Sequence, residues 1–223
     1  MGFINNHLTL HGENGITFSL FAELDSATKI HNFLKNVKWN DKPKLPVATS
    51  IDQSDFQVHL FPSFGKRYGA GEPDAIIIYN NLIFFIEVET KSVDKLSHHF
   101  FKQLNNFNSI GEYIISSSQK KVVGKPISIT EKQRVYGQYR TRKVLNELLM
   151  IQNSKDYYIV ITDDHVGTKE TLSYSLDKLN NRIETILPNS TIIEKLGWIG
   201  FPSINRLPGI NKTKEVIQFN LKK

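Results

Sequence analysis

Three carboxylates and an ammonium stand where a sheet-forming chain should carry apolar side chains. Asp74, preceded by Pro73, heads the run Ala75-Ile76-Ile77-Ile78-Tyr79, and Glu87, Glu89 and Lys91 follow the run Leu82-Ile83-Phe84-Phe85-Ile86. Alternation along a strand turns Phe85, Glu87, Glu89 and Lys91 one way and Phe84, Ile86, Val88 and Thr90 the other. A charged face beside an apolar core is costly to desolvate without partners. Two outcomes are open. The groups neutralise one another as ordinary ion pairs at a sheet edge, or they hold a cation and do chemistry. A hard cation on carboxylate oxygens acidifies a bound water and neutralises an anionic substrate oxygen.

The surrounding elements must bring these groups together. The two apolar runs read as strands of a hairpin joined at Asn80-Asn81. Asp55 to Phe61 alternates, with Phe56, Val58 and Leu60 on one side, and supplies a strand before them. His59 falls on its more polar side with Gln57 and is expected to be a hydrogen-bonded or surface histidine. Ile16 to Val37 carries one apolar stripe at helical period, with Asn14 as N-cap. A second helical pattern, Val93, Leu96, Phe100, Leu104 and Phe107, follows Lys91 and places His99 and Gln103 on one face. Ser128-Ile129-Thr130-Glu131 is a capping box opening a helix to about Ile151, basic in its first half. Tyr157 to Thr162 reads as a buried strand, Lys169 to Leu187 as a helix ended by Pro188, and Glu215 to Leu221 as a last strand. Asp163-Asp164 suits a turn or a cap.

The 223 residues carry a net charge of +6, which favours a polyanionic partner through counterion release. Without cysteine, disulfides and Cys-ligated zinc are excluded. No basic region followed by a long apolar run opens the chain, and no apolar run is long enough to span a bilayer, so a cytoplasmic protein with no membrane partner is expected. No repeat or domain boundary is apparent, and residues 1–223 read as a single domain.

Pro73-Asp74 and Glu89-Thr90-Lys91, at the ends of adjacent strands, resemble the two half-motifs of the PD-(D/E)XK nuclease superfamily. The resemblance implies an α/β fold with a restriction-endonuclease-like core: a central mixed β-sheet flanked by helices in αβββαβ order, with C-terminal decoration. It implies a divalent-metal-dependent phosphodiesterase, with Asp74 and Glu89 as ligands of Mg²⁺ or Mn²⁺ and the Thr90 carbonyl as a further candidate. A glutamate on the first helix commonly completes the site in that superfamily. Glu13, at the helix entrance, is preferred here over Glu23. Lys91 would orient the attacking water or stabilise charge on phosphorus. Glu87 is either a second metal ligand or the partner of a basic neighbour. Gln103-Leu104-Asn105-Asn106-Phe107 is similar to the Gln-hydrophobic-x-x-Tyr element of RecB-like nucleases, with Phe107 in place of tyrosine.

The expected partner is DNA. Lys66 and Arg67, in a Gly-containing loop ahead of Asp74, and Lys132, Arg134 and Arg140, interleaved with Tyr136 and Tyr139, are the candidate nucleic-acid contacts. The leading expectation is a DNA endonuclease of the restriction or defence kind, acting as a homodimer by analogy with restriction-like enzymes. The competing readings are a repair or recombination nuclease acting on branched or single-stranded ends, a catalytically silent nucleic-acid-binding module, and a non-enzymatic protein whose acidic strand ends are ion pairs.

Overall fold

The computed structural model describes residues 12–45, 56–62, 72–119, 147–163 and 169–221. Within them the chain is α/β, with a six-stranded mixed sheet flanked by helices. The strands are β1 (Lys38–Trp39), β2 (Phe56–Leu60), β3 (Ala75–Tyr79), β4 (Leu82–Val88), β5 (Lys155–Thr162) and β6 (Leu196–Gly200), in spatial order β1-β6-β5-β4-β3-β2. The helices are α1 (Gly12–Glu23), α2 (Ala27–Asn36), α3 (His98–Gln119), α4 (Lys169–Ile186), the short α5 (Phe201–Ile204) and α6 (Lys212–Leu221).

β3 and β4 lie inside the sheet with helices over both faces, which is why their sequences are apolar in unbroken runs rather than alternating. Their turn places Asn80 at φ +55°, a left-handed conformation that asparagine tolerates better than most residues. β2, β3 and β4 form an antiparallel meander with Leu60 opposite Ala75 and Ala75 opposite Ile86. α3 then carries the chain to β5, which runs parallel to β4 with Val88 beside Ile161. β6 continues the parallel run on the far side of β5, and β1 closes that edge antiparallel.

Two apolar layers sandwich the sheet. Ile76, Ile83 and Phe85 pack with Phe100, Leu104 and Phe107 of α3 and Leu179 and Ile183 of α4. Ile77, Phe84, Ile86 and Val88 pack with Ile16 and Leu20 of α1, Phe33 and Leu34 of α2 and Ile217 of α6. Among the described residues, no helix is long and apolar enough to cross a membrane.

Three expectations are corrected. The stripe from Ile16 to Val37 belongs to two helices. The chain breaks after Glu23, and Ser26 restarts it by accepting a hydrogen bond from Lys29 N. Because α1 already begins at Gly12, Asn14 lies inside the helix and is not its N-cap. The segment expected to be a last strand, Glu215 to Leu221, is helical as part of α6. β6, which was not anticipated, is a fully buried strand despite Gly197 and Gly200. A Cβ on Gly197 would stand 2.6 Å from the Trp39 ring, so glycine is what lets β1 close on this strand.

Candidate active site

The acidic residues converge at one end of the sheet, past the last residue of β4. Asp74 lies immediately before β3, and its Oδ2 accepts a 2.7 Å hydrogen bond from Val88 N. That bond ties the head of one hairpin arm to the tail of the other. Glu89 N donates to Ile161 O (2.8 Å) and Lys91 O accepts from Asp163 N (3.1 Å), so the tail of β4 is also held by β5. The site thus sits beyond the carboxyl ends of the parallel strands, the usual place for ligands in open α/β sheets.

Glu13 enters from α1. Its Oε1 accepts from Thr90 N (3.2 Å) and Thr90 Oγ1 (3.1 Å), and its carboxyl shares a hydrogen bond with Glu89. Gln103 enters from α3 on the opposite layer. Its Nε2 donates to Glu87 Oε1 (2.9 Å) and to Glu72 O (3.2 Å). Lys91 Nζ lies 4.0 Å from Glu89 Oε2, with the lysine side chain 53% exposed against 16% for the glutamate. The acid is largely shielded while the ammonium is open to a substrate.

Crowding of like charge sets the electrostatics. Burial pushes the Asp74 carboxyl up to about 6; the Val88 N–H opposes this and the Glu13 charge adds to it. Burial and then the Glu13 charge carry Glu89 up to about 7, with the Lys91 ammonium pulling the other way. Glu87 rises well above the ordinary carboxylate range through burial first and the Asp74 charge second, with the Asp74 N–H opposing. Its Oε2 is buried with no hydrogen-bond partner. A buried acceptor without a donor, among carboxylates that raise one another's pKa values, marks a place short of positive charge.

Among the described residues, no three His, Asp or Glu side chains are gathered into a ready-made metal-ligand set. A small hard dication asks for less. Mg²⁺ retains several waters and takes one or two carboxylates together with substrate phosphate. The all-oxygen donors Asp74 and Glu89, with Glu13 beside them and Glu87 Oε2 unpartnered, fit such an ion in chemistry and in charge.

Other candidates lie elsewhere. Glu23 is at the far end of α1, where its carboxylate accepts from Asn211 N, Lys212 N, Thr213 N and Thr213 Oγ1 at the start of α6. Burial raises its pKa, but these four bonds outweigh burial and leave it lowered. Phe107 is buried and stacks on Phe85, its ring 6.2 Å away, in the apolar layer. His59 faces Glu147, with Nε2 3.5 Å from Oε2. Lys66, Arg67, Lys132, Arg134 and Arg140 fall outside the described residues. Two contributors were not anticipated: the Thr90 hydroxyl that holds Glu13, and the Asp163 amide that holds the Lys91 carbonyl. A threonine between Glu89 and Lys91 was the one visible hint of the first. The second is a main-chain contact and leaves no trace in residue type.

Comparison of the chain with protein-family models, with curated proteins and with solved structures gives no significant match to any of them.

Proposed function

We propose that this protein is a Mg²⁺- or Mn²⁺-dependent DNA endonuclease of the PD-(D/E)XK type, of the restriction or defence kind. The observation that carries the reading is the meeting of Asp74, Glu89 and Glu13 beside Lys91 at one sheet end, close enough to perturb one another's protonation. The run β2-β3-β4-α3-β5, an antiparallel meander followed by a helical crossover to a parallel strand, supports a restriction-endonuclease-like core, with α2 and the edge strand β1 inserted between α1 and β2.

Asp74 and Glu89, with Glu13 beside them, would hold the cation, which when bound supplies charge neutralisation at a phosphoryl oxygen and a more acidic water. The chain's own residues do the rest. Val88 N and Thr90 fix the Asp74 and Glu13 carboxylates before substrate arrives, so less reorganisation accompanies the reaction. The Lys91 ammonium, next to Glu89 and open to solvent, orients the water that attacks phosphorus and offsets the negative charge that grows there.

A second reading has one specific support. Gln103 of the RecB-like element grips Glu87 and the Glu72 carbonyl, which favours a repair or recombination nuclease acting on branched or single-stranded ends.

The test is cleavage of supercoiled, linear, single-stranded and branched DNA with Mg²⁺, with Mn²⁺ and with EDTA, for the wild type beside Asp74→Ala and Lys91→Ala. Metal-dependent cutting that disappears in both folded variants is the expected result, and the substrate panel separates the two nuclease readings. Undiminished cutting by the variants would remove the site. DNA binding without cutting under any metal would make the chain a silent binding module.

A further inference from the structure

We propose that Arg182 of α4 is a positioning residue that clamps the segment between Lys91 and Gln103. Its catalytic consequence rests on the nuclease reading above. After Lys91 the chain passes Ser92, makes a single 3₁₀ turn (Val93–Lys95), and enters α3 at His98. Such a connection has little backbone bonding of its own: Lys95 N to Ser92 O at 2.9 Å and a long Leu96 N to Val93 O at 3.3 Å. Yet it joins two groups that must be placed together, the Lys91 ammonium and the Gln103 amide that holds Glu87.

α4 supplies the missing constraint. Arg182 Nη1 donates to Val93 O at 2.5 Å and Nη2 to Leu96 O at 2.8 Å, so one guanidinium bridges the two ends of the turn. The same guanidinium lies 5.0 Å from the centre of the Phe101 ring, on the first turn of α3. One helical turn earlier, and so on the same face, Lys178 Nζ meets Asp94 Oδ2 at 2.6 Å. Val93 and Leu96 are buried beneath these contacts, and Ser97 Oγ caps α3 by accepting from Phe100 N. α4 therefore grips the connection at residues 93, 94 and 96 and presses on α3 at 101.

The chemistry of the grip is specific to arginine. A rigid planar fork reaches two carbonyls at once while its face rests on an aromatic ring; a lysine ammonium is a point donor and cannot do both. Asp163 N, just past β5, donates to the Lys91 carbonyl, so the main chain is held at residue 91 from the end of β5 and at residues 93 to 96 from α4.

The test compares the wild type with Arg182→Lys in two measurements. Amide hydrogen exchange without metal or DNA is expected to quicken on the order of tenfold across residues 92–103 and to stay unchanged in β5 and α6. Metal-dependent cutting is expected to show kcat lowered on the order of tenfold, with KM for DNA unchanged and thermal midpoint nearly so. Unchanged exchange over 92–103, or a rise spread evenly over the whole chain, would overturn the proposal. So would a lowered thermal midpoint with kcat intact, which is what a purely structural arginine gives. If Arg182→Lys does not fold, Lys178→Met, which removes only the Asp94 pair, is read the same way and is expected to give smaller changes in the same segment. If the wild type cuts no DNA, the nuclease reading falls, and the exchange measurement still decides the clamp.

Discussion

Asp74 Oδ2 accepts the backbone N–H of Val88 at 2.7 Å, so one carboxylate both closes the hairpin and faces the acidic cluster. Asparagine and alanine separate these two roles. Asp74→Asn keeps an oxygen for Val88 N and removes the charge; Asp74→Ala removes both. Both variants are expected to lose metal-dependent cutting. The alanine variant is expected to be less stable than the asparagine variant by about 1–2 kcal/mol, the cost of leaving a buried N–H without its acceptor. Denaturant unfolding of the two variants, run beside plasmid cleavage, checks both parts.

The acidic cluster gives stability an unusual dependence on pH. Asp74 near 6 and Glu89 near 7 stand above their ordinary values of 3.8 and 4.5, and Glu87 is displaced in the same direction. The folded chain therefore holds more protons than the unfolded chain between about pH 4 and 7. The stabilising contribution is fully present below the unfolded values and is lost as pH rises through the folded ones. The metal-free thermal midpoint is expected to be lower at pH 8 than at pH 5, with Mg²⁺ raising it more at pH 8. A metal-free midpoint that climbs over this range would mean that the carboxylates are not crowded as described.

Glu13 and Glu23, at opposite ends of one helix, should behave differently. Glu13→Gln preserves an oxygen for Thr90 but removes charge from the cluster. It is expected to weaken Mg²⁺ binding by about 10–100-fold, measured by calorimetry. Glu23→Ala strips the start of α6 of its cap and is expected to cost about 1–2 kcal/mol while leaving Mg²⁺ affinity unchanged. The Glu23 contribution has the opposite pH sign to that of the cluster. Its folded pKa is lowered, so the stabilisation is present above the unfolded value of 4.5 and lost as pH falls below it.

The hairpin and the sides of its strands were legible because Ala75–Tyr79 and Leu82–Ile86 are apolar, bounded by Asn80-Asn81, and wholly buried in the sheet. Phe85 and Glu87 face α3, and Phe84, Ile86 and Val88 face α1, as alternation requires. Alternation stops being informative past Val88, where β4 ends. Alternation puts Glu89 on the Glu87 side, yet it shares a hydrogen bond with Glu13 of α1. The break after Glu23 was hidden because Leu20, Leu24, Ala27 and Ile30 keep a helical period across it while Ser26 restarts the backbone. The helical state of α6 is hidden for a different reason. Ile217, Phe219 and Leu221 alternate like a strand, and the carboxylate that caps the helix, Glu23, is 190 residues from Thr213 in sequence. β6 escaped notice because Gly197 and Gly200 look like strand breakers until Trp39 is seen against Gly197.

Gly111 offers a test of stability that leaves the site alone. It lies on α3 against a buried network at the opposite end of the sheet, where Asp156 pairs with Lys195 at 3.0 Å and accepts the Tyr158 hydroxyl. Asp156 stands beside Ile83 in the ladder, whereas the acidic cluster lies past Val88. A Cβ on Gly111 would fall inside van der Waals contact of both Asp156 Oδ2 and the Tyr158 hydroxyl oxygen. Neither can withdraw cheaply. Asp156 is held by Lys195, and the Tyr158 ring is fully buried and stacked on Phe85 at 5.5 Å. Gly111→Ala must therefore shift α3 or break the network, at a cost of about 2–4 kcal/mol. That corresponds to a thermal midpoint lower by roughly 5–15 °C. Because Gln103 lies two turns nearer the start of α3, a local break would leave cutting at low temperature intact, whereas a shift of the whole helix would lower kcat as well. Activity assayed well below the new midpoint distinguishes the two, and an unchanged midpoint would mean that the contact between Gly111 and this network is looser than described.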